Sequence, residues 1–101
     1  MSWVAEHRTV FTYAPNGVNL GVVTGYDQGT QFVVEHVIVL PGAPRTTLAR
    51  MMRAALHEAW QRSAAVSFFL PPGSPWRAAA ARLGFVAYCE DRGTWYIAWK
   101  P

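Results

Sequence analysis

The sequence predicts an α+β domain of residues 1–101: a mixed, mostly antiparallel sheet with two helices, in the order β-β-β-α-β-α-β-β. Three observations predict it. Two turn signals, PNG at 15–17 and DQG at 27–29, divide the first forty residues into three strand-like runs, because Asn and Gly tolerate positive φ. One long segment, 45–62, repeats its apolar residues at helical spacing. The apolar runs on either side of that segment, joined through a helix, read as parallel strands of a right-handed β-α-β unit.

Each element follows in order. RTVFTYA (8–14) reads as a short strand. VNLGVVTGY (18–26) is a second, and the glycines inside it point to a bulge or a close backbone contact. TQFVVEHVIVL (30–40) is the most apolar, and its β-branched run suits a strand covered on both faces. The short turns make these three an antiparallel meander. Leu48, Met51, Met52, Ala55, Leu56, Ala59 and Trp60 then follow the pattern of one helix face. Arg50, Arg53, His57 and Gln61 fall on the polar side, and Glu58 with Arg62 forms an i,i+4 pair worth ~0.3–0.5 kcal/mol. AAVSFFL (64–70) is a buried strand. In GSPWRAAAARLGF (73–85), Ser74 suits an N-cap, Pro75 the first helical position and Gly84 the position just past the end. Trp76, Ala79, Ala80 and Leu83 form its inner stripe. FVAYCE (85–90) and TWYIAWK (94–100) are strands joined by the hairpin-sized loop DRG.

Composition narrows the function classes. At 51% hydrophobic and 15% charged residues, the chain suits one folded core and not disorder. The net charge is +3, but the eight arginines are dispersed, with a small group at Arg45, Arg50 and Arg53. That favours a local anion site over a nucleic-acid face. Cys89 is alone, so an internal disulfide or a cysteine zinc site is not expected. The neighbouring Glu/His pairs lack metal-ligand spacing, so no metal is expected either. MSWVAEHRTVF has no apolar signal core, and no run approaches the ~18 residues of a membrane span. A cytoplasmic protein without membrane contact is expected.

VIVLPGAPRTTLARMMRAAL, a strand running through a Pro/Gly loop into a basic helix start, resembles the cofactor segment of the GNAT N-acetyltransferase superfamily. SPWRAAAARLGF resembles the later helix of that family, which ends in L-G-F. The resemblance covers about residues 9–99 and matches the family's second through last strands. The opening strand and two helices have no counterpart, so a reduced GNAT-like domain is implied.

The resemblance implies acetyl-CoA as cofactor, its pyrophosphate held by backbone N–H groups at the helix start. The family loop Q/R-x-x-G-x-G/A falls on residues 44–49, making Arg45, Thr46, Thr47 and Ala49 the cofactor-binding candidates. Thr47 stands where Gly is usual, and Pro44 has no N–H to donate. Thr46 or Thr47 would otherwise simply cap the helix. The resemblance also implies a base on the central strand, with Glu35 and His36 as catalytic candidates. Regular alternation sends these two to opposite faces, so only one can serve a given site. The family's usual acid, a Tyr four residues before the Gly of L-G-F, is replaced by Ala80, and Gly73 stands near the place of an upstream Asn. Tyr88 and Tyr96 are the remaining stand-ins.

Two functions are therefore expected as alternatives. One is acetyl transfer from acetyl-CoA to a small-molecule or protein amine. The other is a catalytically inactive GNAT-fold subunit, of a kind phages and mobile elements encode, that acts through protein contacts. The aromatic load and the two-sided strand TWYIAWK further predict a homodimer or a protein partner at Trp95, Trp99 or Trp3.

Overall fold

The computed structural model describes residues 8–101. Its elements run β1 (Arg8–Tyr13), β2 (Gly21–Gln28), β3 (Gln31–Val39), α1 (Thr47–Trp60), β4 (Ala65–Leu70), α2 (Arg77–Arg82), β5 (Val86–Glu90) and β6 (Thr94–Trp99). This is the expected order. The strands form one six-stranded sheet in the order β1-β2-β3-β4-β6-β5. Every neighbouring pair is antiparallel except β3 with β4.

The second strand begins at Gly21, later than expected, because the Asn19 side-chain oxygen accepts the Gly21 N–H at 3.0 Å and holds the chain in a local turn. Both glycines of β2 mark close approaches. A Cβ on Gly21 would meet the sulfur of Met51 at 2.5 Å, so this glycine lets α1 settle onto the sheet. A Cβ on Gly25 would collide with the Val33 carbonyl and stand 2.6 Å from the Phe32 ring. Gly25 pairs with Val34 and Thr24 with His36, which leaves Glu35 as the extra residue of a β-bulge in β3.

Helix α1 packs Met51, Met52, Leu56 and Ala59 into a core with Val23, Phe32, Val34 and Val66. It is shorter than the expected 45–62. Its last turn tightens, with Gln61 and Arg62 donating to the carbonyls three residues back. Arg62 therefore lies past the helix end, and the expected Glu58–Arg62 pair does not form. At the other end, Thr46 occupies the N-cap position in helical conformation and makes no side-chain cap bond. The expectation of a simple threonine cap is thus not met.

Helix α2 starts at Arg77. Trp76 and not Ser74 is its N-cap; Ser74 lies two residues before it, its Oγ accepting the Trp76 N–H at 3.2 Å. The far end is as expected: Gly84 has φ +95°, Phe85 N–H donates to Ala80 and Gly84 N–H to Ala81. Those two bonds form a Schellman stop, which needs the left-handed residue that glycine supplies.

Strand β6 buries more of itself than expected. Tyr96, Ile97 and Ala98 are all buried within the chain, and Trp95 is half-buried against Phe69. Trp99 remains 62% exposed. Trp3 lies outside the described residues.

Candidate active-site cleft

Strands β3 and β4 pair over only three positions, Gln31 with Ala65, Phe32 with Val66 and Val33 with Ser67. The bulge that follows at Glu35 bends β3, and the chain beyond it runs on without a partner on that side among the described residues. A cleft of about 310 Å³ lies where the strands part. One wall is Val34, Glu35 and Val37 of β3; the opposite wall is Phe68, Phe69 and Leu70 of β4. Arg45, Leu48, Ala49 and Met52 close it at the start of α1, and Trp76, Ala79, Ala80 and Leu83 close it along α2. The lining is apolar apart from Glu35, Arg45 and the indole N–H of Trp76. Such a slot suits a long, mostly apolar arm whose polar end lies outside.

The helix end of the cleft carries the means to meet an anion. Thr47 N–H donates to Pro44 at 3.0 Å, and Arg50 N–H to Thr46 at 3.2 Å. Among the described residues, no acceptor takes the N–H of Thr46, Leu48 or Ala49. Free N–H groups at the N-terminus of a fourteen-residue helix favour negative charge. Arg45, Thr46 and Ala49 are exposed there. Thr47 is not: it is 2% exposed, so its Cβ and hydroxyl sit beneath the loop and do not meet an approaching anion.

The two candidate bases separate. Glu35 lines the cleft. Its Oε2 accepts from Arg8 at 3.0 Å, and its Oε1 is buried with no hydrogen-bond partner among the described residues. His36 lies beside Thr24 on the neighbouring strand, with its Nδ1 3.2 Å from the Thr24 hydroxyl, and does not line the cleft. The bulge overrides the regular alternation expected: Arg8 and Thr24 meet Glu35 and His36 on the same face of the sheet, and it is Glu35, not His36, that lines the cleft.

Among the described residues, no acid hydroxyl lines the cleft. Ala80 is buried in its wall, Tyr88 is exposed on the edge strand β5, and Tyr96 stacks on Phe68 with centroids 5.5 Å apart. Among the described residues there is no cluster of three metal-ligating side chains. No described helix is long and apolar enough to cross a membrane.

The order of strands, the single parallel pair that splays and the helix start facing the gap together define a known architecture. The chain has the fold of the GNAT acetyltransferases. It is similar to an acetyltransferase of Bacillus subtilis in complex with CoA, with a TM-score of 0.80 and 11% identity over 97% of this chain and 80% of that one. A GNAT family acetyltransferase of Elizabethkingia anophelis with acetyl-CoA bound gives 0.76 and 8%, over 94% and 78%. Nourseothricin acetyltransferase gives 0.76 and 18%, over 94% of this chain and 66% of that one. No family model and no curated protein matches the chain by sequence.

Two site features escaped the sequence reading. Arg8 meets Glu35 from 27 residues away, with no local pattern to join them. The aromatic wall of Phe68, Phe69 and Trp76 reads in sequence only as core.

Proposed function

We propose that this chain binds acetyl-CoA in the cleft between β3 and β4 and transfers its acetyl group to an amine. The observation that carries the reading is the splay itself. Three rungs of parallel pairing give way to an apolar slot that ends at the unpaired N–H groups of α1. In this reading the Thr46, Leu48 and Ala49 N–H groups and the Arg45 side chain receive the pyrophosphate. Thr47 contributes from below by packing. The thioester supplies an activated acyl carbon. The acceptor nitrogen attacks that carbon, the carbon–sulfur bond breaks, and coenzyme A leaves as a thiolate. Glu35 Oε1 takes the proton the amine gives up. A thiolate is a competent leaving group, with an ordinary thiol pKa of about 8.5, so Ala80 in place of a hydroxyl slows this chemistry without forbidding it. Use of acetyl-CoA fits the cytoplasmic location expected from the sequence. The reading takes residues 1–101 as one reduced GNAT-like domain.

Calorimetric titration with acetyl-CoA and with CoA tests the binding step. Heat of binding at micromolar to millimolar ligand is expected; none at millimolar ligand would end the reading. A second reading, an inactive GNAT-fold subunit, is favoured by one observation: no acid hydroxyl among the described residues lines the cleft. Binding without turnover across a panel of amines and peptides would select it.

The open face of the sheet supports a partner in either case. Phe69 and Trp95 are register partners on β4 and β6, and Trp99 lies further along the same face. Large exposed rings of this kind are enriched at interfaces. A homodimer, or a complex with another protein, covering Trp99 is the expected state. Light scattering at micromolar concentration checks it, and a monomer would remove it.

A further inference from the structure

The carboxylate of Glu35 is held from one side only. Arg8 donates to Oε2 at 3.0 Å, while Oε1 is buried without a partner among the described residues, on a residue that lines the cleft. Arg8 stands on β1 and reaches Glu35 across the whole width of β2, since Arg8 pairs with Tyr26, and Gly25 with Val34. Such a reach orders a long side chain, which opposes the contact. The pair is also half open to solvent, with side chains 49% and 23% exposed, where an ion pair adds little to stability. Stability alone is thus a poor reason for the arrangement.

The bulge supplies a better one. As the extra residue, Glu35 has no register partner on β2, so the ladder does not fix its direction. Left alone, a carboxylate so near the surface gains by turning both oxygens to water, because a buried oxygen with no donor is unfavourable. Arg8 opposes that turn by anchoring Oε2 on the outer side. A guanidinium has donors and no acceptor, so it holds the carboxylate without competing for a proton.

We propose that Arg8 is a positioning residue: it anchors Oε2 of Glu35 so that Oε1 faces the cleft, ready to accept the acceptor amine's proton. The inference rests on Glu35 serving as the base.

The test combines turnover with a spectroscopic readout on the full chain. Arg8→Ala is expected to lower kcat roughly 10- to 100-fold, as small misplacements of a reacting group do, with KM for acetyl-CoA unchanged. Arg8→Lys should recover most of the loss. In a Glu35→Gln background, Arg8→Ala should add nothing, because the two act through one group. An unchanged kcat in Arg8→Ala, or full additivity with Glu35→Gln, overturns the proposal. Carboxyl carbon NMR of glutamate-labelled protein decides the matter where no acceptor has been found. The Glu35 resonance, assigned by its loss in Glu35→Gln, should move in Arg8→Ala and return in Arg8→Lys. A resonance that stays put overturns the proposal. A protein that shows no CoA binding, or keeps full turnover in Glu35→Gln, overturns the underlying reading instead.

Discussion

The two halves of β3 share one strand and do different work. Up to Val33 the strand is paired on both sides, and Phe32, Val33 and Val34 are buried. Beyond Glu35 it keeps only its partner on β2, and its residues turn outward until Val39 is exposed. One inserted residue separates the halves. Pairing on both edges makes a scaffold, and its loss on one edge leaves room for a ligand. Substitutions in the first half should therefore change stability, and those in the second should change chemistry.

The largest effect should come from the paired half. Phe32→Ala removes a buried ring between β2 and α1 and should cost ~3–5 kcal/mol, much of the margin of a domain this size. Denaturant unfolding measures it. A loss under ~1 kcal/mol would mean that the paired half is not the scaffold. In the splayed half, Glu35→Gln should reduce turnover ~10²-fold or more while the unfolding midpoint barely moves. A large fall in stability instead would assign Glu35 to the framework and erase the contrast. Acetyl-CoA at 100 times its dissociation constant should add ~2.7 kcal/mol of stability. Arg45→Ala should shrink that gain and its sensitivity to salt, as read by thermal melting. The smallest effect belongs to His36→Gln, expected within about 0.5 kcal/mol in stability as for other exposed positions, and without effect on turnover. If His36→Gln matched Glu35→Gln, the assignment of the base to Glu35 would fail.

The same contrast separates what the sequence makes legible from what it does not. The α1 stripe and the parallel β-α-β crossing follow from periodicity and connection length, and both appear as expected. Gly84 follows from helix-stop chemistry and also appears as expected. These signals are local, or repeat often enough to be read. The choice between Glu35 and His36 is not of that kind. It depends on one unpaired residue, and alternation assumes that no such residue exists. The anchoring of Glu35 by Arg8 depends on strand order, which brings together residues far apart in the chain. The burial of Thr47 depends on where α1 begins, and a helix boundary is among the least certain readings of sequence. The extent of burial on β6 is likewise set by packing that alternation does not reveal: the domain covers Tyr96, Ile97 and Ala98 and leaves Trp99 exposed.

The short parallel seam between β3 and β4 also bears on how the chain reaches this structure. The sheet consists of two three-stranded leaves, β1-β2-β3 and β4-β6-β5, joined edge to edge by those three rungs and spanned by α1. Within the leaves, the meander of β1 to β3 and the β5–β6 hairpin close over short turns. The seam pairs residues on either side of α1, and distant contacts form slowly because loop closure precedes their reward. The meander and the β5–β6 hairpin should form early, and β4, which pairs with β3 and β6 far along the chain on either side, should join near the rate-limiting step. In stopped-flow refolding, Val66→Ala should then slow folding, whereas Val86→Ala, on the outermost strand, should act on the unfolding rate. The gap between β3 and β4 would thus be bounded by the part of the sheet that forms last.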